Sequence, residues 1–79
     1  MNDDQAWEMK KTAEECCEFA TVLMQQLNKP HKDLEEDIVE ELGDVIFRTN
    51  RLKKYYDNES IEERIFRKEK KEQLKKCEK

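Results

Sequence analysis

Apolar side chains recur along the first third of the chain at Ala6, Met9, Ala13, Cys16, Cys17, Ala20, Leu23, Met24 and Leu27. This is the three-and-four spacing of an amphipathic helix, and it predicts one over about residues 3–27, capped by Asn2, Asp3 or Asp4. At about 100° per residue, Glu15, Glu18, Phe19 and Val22 fall on a second face, away from that stripe. A purely solvated face has little use for Phe19 and Val22, so this one is expected to meet another helix or a ligand.

Asn28-Lys29-Pro30-His31-Lys32 interrupts the pattern, because Pro lacks an N–H donor and disfavours the α region in the residue before it. Beyond it, Leu34, Ile38, Leu42, Val45, Thr49, Leu52 and Tyr56 repeat at alternating four- and three-residue steps. They predict a second helix over 33–56, opened by a capping box of Asp33 and Glu36. Gly43, inside it, costs about 1 kcal/mol relative to Ala. The expected compensation is close approach of a neighbouring backbone or ligand. Asp57-Asn58-Glu59 reads as a turn and Ser60 with Glu63 as a further capping box, opening a third helix over 61–76. On that helix Arg64, Lys68, Lys71 and Lys75 form one basic stripe. The fold class is therefore all-α: one domain over 1–79, an antiparallel helical hairpin plus a third C-terminal helix.

Composition changes this picture in one respect. With 79 residues, 35% of them apolar and 46% charged, the chain is poor in core material. A single core in a chain this short rarely supplies more than about 3–5 kcal/mol. Oligomerisation is expected to complete the helical bundle, as a homodimer or alternatively a tetramer, with the acids described below inside it. The net charge of −4 divides into +3 over residues 60–79 and −7 before them, which suits a site that gathers cations and then a polyanion. Three cysteines make neither a disulfide framework nor a zinc set and read as small packing residues of a reducing compartment. No apolar run approaches the roughly 18 residues that span a bilayer. A cytoplasmic location is expected, with neither a membrane nor a nucleic-acid polymer as partner.

The chemistry is concentrated in two acid pairs at i, i+3 spacing, Glu15 with Glu18 and Glu41 with Asp44. Glu15 with Asp44 and Glu18 with Glu41 are both centred between residues 29 and 30, so a hairpin folding there brings all four to one level. Helices about 8–10 Å apart would then hold a cluster of like charges. Protonation or a hard divalent cation relieves such repulsion, and Mg²⁺, which keeps waters and substrate phosphates among its ligands, points to a phosphate substrate. A di-iron site needs Glu-x-x-His on two helices. The single histidine, His31, lies in the turn, roughly 17–20 Å along the helices from the acids. No base stands beside a serine or cysteine nucleophile.

Glu14-Glu15-x-x-Glu18, followed after 22 residues by Glu41-x-x-Asp44, resembles the metal-binding signature of the all-α nucleoside triphosphate pyrophosphohydrolases, the MazG-like superfamily. The stretches around them and the basic third helix follow the same order. The resemblance implies hydrolysis of a nucleoside triphosphate to the monophosphate and pyrophosphate, dependent on Mg²⁺ with Mn²⁺ as a substitute. It implies that Glu15, Glu18, Glu41 and Asp44 hold the metal, that Glu14 and Glu18 act in catalysis, Glu14 either as a carboxylate supporting the metal ligands from behind or by orienting the water, and that Lys68 and Lys71 contact the phosphates. Family members place an Asn and then an Arg or Lys after that lysine, where this chain has Glu69, Lys70, Lys71 and Glu72. Trp7 and Phe19 are aromatics that could stack on a base or pack at a helix interface. Two other readings remain: phosphoribosyl-ATP pyrophosphatase activity within the superfamily, and a non-catalytic helical dimerisation module outside it.

Overall fold

The computed structural model describes residues 1–77, in the order α1 (Asp3–Asn28), α2 (Glu35–Leu52), a 3₁₀ turn (Lys53–Tyr55) and α3 (Asn58–Cys77), with no strand among the described residues. Among the described residues no helix is long and apolar enough to cross a membrane. In α1 there is no Gly or Pro to interrupt the helix. Asn2 caps it by accepting the Gln5 N–H at 2.7 Å, with Asp3 and Asp4 beside the positive end of the helix dipole. It ends just before Pro30, where the Lys29 N–H still reaches the Gln25 carbonyl at 3.0 Å.

Both capping boxes expected from the sequence are replaced. At α2 the capping position is taken by Leu34, which offers no side-chain acceptor, while Asp33 Oδ1 accepts the Glu35 N–H at 3.0 Å. Burial decides this: Leu34, only 9% exposed, is the one buried apolar side chain among the described residues. Its N–H is satisfied by Gln26 Oε1 at 3.1 Å, and Gln26 Nε2 donates to the Lys32 and Lys29 carbonyls at 2.5 and 3.3 Å. One side chain of α1 thus holds the turn together with the backbone bond from the Lys32 N–H to the Lys29 carbonyl at 3.0 Å. At α3, Asp57 supplies the cap: its Oδ2 accepts the Ser60 N–H at 3.3 Å and the Ser60 hydroxyl at 2.6 Å. The helix therefore begins at Asn58, three residues before the expected start. Glu63, freed from capping, pairs with Arg67 at 2.6 Å. The second helix likewise ends earlier than 56, at Leu52, because the chain tightens into the 3₁₀ turn.

The hairpin of α1 and α2 is the one extensive helix packing, and α3 lies against neither helix along its length. The face of α1 that meets α2 carries Glu8, Thr12, Glu15, Phe19, Val22 and Gln26, all buried or half-buried. The more apolar stripe of Ala13, Cys16, Ala20, Leu23, Met24 and Leu27 is exposed. The expectation that Phe19 and Val22 meet a helix is met, and with Ile38, Val45 and Leu52 they form the half-buried seam. In that seam Phe19 packs against protein.

Candidate metal centre

Glu15 and Glu41 are half-buried because they sit in the seam itself, one turn from Phe19 and Val45 respectively. Glu18 is exposed at its edge. One carboxylate oxygen from each of Glu15, Glu18 and Glu41 lies within 4.8 Å of the other two. Oε2 of Glu15 and of Glu41 is shut off from solvent with no hydrogen-bond partner. Native proteins rarely leave such atoms unpaired, so each is an acceptor awaiting a proton or a cation.

The electrostatics agree with that reading. Burial, then the charges of Glu18 and Asp44, push the Glu15 carboxyl above its ordinary value, with hydrogen bonding to Glu18 and the charge of Glu41 adding to the effect. Burial, then Glu18 and Asp44, then Glu40 and Asp37, do the same to Glu41. No cation contributes to either group. The charges of Glu18 and Asp44 therefore bear on Glu15 and Glu41 at the predicted level of the hairpin.

The expected residues divide as follows. Glu15, Glu18 and Glu41 are brought together, and Asp44 acts on Glu15 and Glu41 through its charge but is outside the three-oxygen group. Glu14 is exposed and turned to Lys11, 3.5 Å away. Lys68 and Lys71 lie exposed on α3, Lys68 with Glu72 at 3.8 Å, and α3 does not pack along the hairpin, so one chain does not bring them to the acids. Gly43 has nothing within 4 Å of where a Cβ would stand, so the close approach expected there is absent within the chain. It points away from α1 rather than into the seam. Trp7 is 53% exposed, with the Lys11 ammonium 4.6 Å over its ring.

A second charged group went unnoticed in the sequence. Glu8, 5% exposed, accepts the Arg51 Nε–H at 3.0 Å, and Arg48 Nη1 stands 3.9 Å from its other oxygen. Beside it the buried Thr12 hydroxyl bonds the Glu8 carbonyl at 2.7 Å and reaches the Arg48 carbonyl at 3.4 Å. Glu8 and Arg51 are centred between residues 29 and 30, as the acid pairs are, and that shared register was the signal that could have found them. This cluster locks the hairpin two turns of α1 from the acids.

No family model matches the chain, and no curated protein or solved structure matches it.

Proposed function

We propose that the chain is a Mg²⁺-dependent nucleoside triphosphate pyrophosphohydrolase, releasing the nucleoside monophosphate and pyrophosphate. The observation that carries the reading is the meeting of three carboxylate oxygens within 4.8 Å, two of those carboxylates having an orphaned oxygen. The residues fit a hard cation: an oxygen-only donor set, unpaired and electrostatically strained. Glu15, Glu18 and Glu41 would hold the ion, with Asp44 beside them. When bound, it would supply Lewis-acid charge and a water of lowered pKa. Glu14, one residue from Glu15 and exposed, is free to leave Lys11 and orient that water. The resemblance of the Glu-Glu-x-x-Glu and Glu-x-x-Asp pattern supplies the substrate class. Lys68 and Lys71 would meet the phosphates only from another chain or after α3 moves.

The exposed apolar stripe of α1 favours a second reading, a non-catalytic module that dimerises. Thermal shift with Mg²⁺ separates the two, since a ligand that binds the folded state must raise its apparent stability. The enzyme reading expects a Mg²⁺-dependent rise that Glu18→Gln and Glu41→Gln abolish, together with pyrophosphate release from at least one nucleoside triphosphate. Unchanged Mg²⁺-dependent hydrolysis in both variants, or no response to metal and to every triphosphate, refutes it. Phosphoribosyl-ATP belongs in the same substrate panel.

A further inference from the structure

The acids share their broad face of the hairpin with a group of cations. The half-buried Glu15, Phe19 and Val22 mark the side of α1 that looks at α2, and Glu41, Val45 and Leu52 mark the reverse direction. At about 100° per residue, Lys11, Glu18 and Trp7 lie to one rotational side of that direction on α1, by about 60–100°. On α2, Arg48, Asp44 and Arg51 lie to the same rotational side, by about 45–105°. Because the helices run antiparallel, equal rotational sense means the same broad face. Lys11 and Arg48 are centred between residues 29 and 30, so they stand level with each other, one turn of about 6 Å from Glu15 and Asp44. The buried Thr12 hydroxyl, 3.4 Å from the Arg48 carbonyl, ties the two helices at that level.

These cations are held off the acids. Arg48 and Arg51 both turn to Glu8 and both stand over the Phe47 ring, their guanidinium carbons 5.2 and 5.6 Å from its centre. Lys11 stands 4.6 Å over the Trp7 ring and 3.5 Å from Glu14. None of the three pairs with Glu15 or Glu41, whose shut-off oxygens find no partner. The cations are under-committed as well. Glu8 accepts a hydrogen bond from Arg51 Nε, but Arg48 Nη1, at 3.9 Å, is beyond hydrogen-bond distance. The terminal guanidinium nitrogens of both arginines donate no hydrogen bond among the described residues, although the Arg48 side chain is only 24% exposed. Half-buried donors call for acceptors. The Lys11–Glu14 pair is the weak, exposed kind that a ligand displaces.

We propose that Lys11, Arg48 and Arg51 form a polyphosphate-binding subsite on the hairpin that carries the acids. A guanidinium fork matches phosphate oxygens in pairs, so an anion there supplies the acceptors that Arg48 and Arg51 lack and offsets the crowding of three positive charges. The class of ligand follows from the neighbouring acids. A molecule that meets both groups, one turn apart, must bring a cation to the carboxylates and several anionic oxygens to the arginines, as a metal-complexed di- or triphosphate does. That this polyphosphate belongs to a nucleotide rests on the reading above. The subsite lies within α1 and α2, so phosphate binding needs neither Lys68 nor Lys71 nor any movement of α3.

Titration calorimetry of the full chain with inorganic tripolyphosphate, in metal-free buffer and with Mg²⁺, tests the subsite apart from turnover. The wild type is expected to bind one equivalent. Arg48→Gln and Arg51→Gln are each expected to weaken binding about tenfold or more, and Arg48→Lys to weaken it less than Arg48→Gln. Arg67→Gln, which removes the same charge from α3, is expected to bind as the wild type does. Because loss of Arg48 or Arg51 could unfold the hairpin, phenylglyoxal labelling of the wild type, read by peptide mass, decides independently. Tripolyphosphate is expected to slow modification of Arg48 and Arg51 and to leave that of Arg64 and Arg67 unchanged. No binding by the folded wild type in either buffer, protection of Arg64 and Arg67 instead, or wild-type affinity in folded Arg48→Gln and Arg51→Gln would each overturn the proposal. Any of these in a chain that still hydrolyses a nucleoside triphosphate would remove the subsite and leave the enzyme reading standing. Protection of Arg48 and Arg51 in a chain that hydrolyses none would uphold the subsite and remove the enzyme reading.

Discussion

Replacing Glu8 by Gln keeps the side chain's shape and one acceptor oxygen while removing its charge. In the hairpin that charge is buried and meets Arg51 at 3.0 Å and Arg48 at 3.9 Å. Breaking a fully buried pair costs about 3–5 kcal/mol, most of it the penalty of a stranded charge. Here the Arg48 and Arg51 side chains are 24% and 47% exposed, so a released guanidinium turns to water. The expected cost is instead that of a hydrogen bond to a charged group, about 1.5–3 kcal/mol. Arg51→Gln should cost at least as much, because it leaves the carboxylate buried with only the more distant Arg48. Urea unfolding of the wild type, the two single variants and the double variant, at one protomer concentration, is expected to give a coupling energy of about 1–2 kcal/mol. The coupling should fall only in part in about 1 M salt, where the Debye length is about 3 Å, because the Glu8 carboxylate is buried although the Arg51 side chain is half exposed. The exposed Glu63–Arg67 pair, by contrast, should couple by less than about 0.5 kcal/mol although its 2.6 Å separation is shorter. Glu8→Gln and Arg51→Gln adding to within about 0.3 kcal/mol would refute the reasoning and reduce the cluster to packing.

Three further expectations follow from particular contacts. Glu15 and Glu41 have carboxyls raised above an ordinary value near 4.5, so the folded chain binds more protons than the unfolded one, and metal-free stability should fall as pH rises from about that value through the raised ones. Melting from pH 4.5 to 8 should show this fall, with Glu41→Gln flattening it and Mg²⁺ opposing it at the upper end; equal slopes in wild type and variant would count against the strained cluster. Gly43→Ala should stabilise α2 by about 1 kcal/mol, since nothing stands within 4 Å of the new methyl group, and a lowered melting temperature would reveal a neighbour from another chain. Gln26→Ala removes the partner of the Leu34 N–H and of the Lys32 carbonyl, while the Lys29 carbonyl keeps the Lys32 N–H at 3.0 Å, and should cost about 1–3 kcal/mol in chemical unfolding; a neutral variant would mean that water takes over both.

Element types were legible in the sequence because periodicity and the single Gly and Pro leave little else to form. The hairpin register was legible for the same reason that Glu15, Glu18 and Glu41 meet: helices of equal rise folding at one turn bring equidistant residues level. Helix starts were misread where two acceptors competed. Asp57 and Ser60 could each cap α3, and Asp57 prevails because a carboxylate accepts both the Ser60 N–H and the Ser60 hydroxyl. Leu34 displaced Asp33 at α2 because its burial outweighs a cap. The sequence pattern does not tell which apolar stripe is used within the chain and which is left outside. By content, the Cys16/Ala20/Leu23 stripe is the more apolar of the two, yet the face that carries Glu8 and Thr12 is the one turned to α2.

That inversion ties the two faces together. A helix that turned its most apolar stripe toward α2 would bury Ala20 and Leu23 but carry Glu15 round into water, where its carboxyl would be an ordinary surface acid. Turning instead through Phe19 and Val22 puts Glu15 and Glu41 in the seam, where burial is the largest cause of their raised carboxyls. The same rotation strips the other stripe of cover and holds it on the opposite side. The strained acid cluster and the uncovered apolar face are consequences of one helix rotation. Strengthening the seam with an apolar side chain, as in Glu15→Leu, should therefore stabilise the hairpin while abolishing the response to Mg²⁺. If such a variant were less stable than the wild type at pH 7, or kept the response to Mg²⁺, Glu15 would not be a strained acid of the seam, and its place among the metal-holding carboxylates would be wrong.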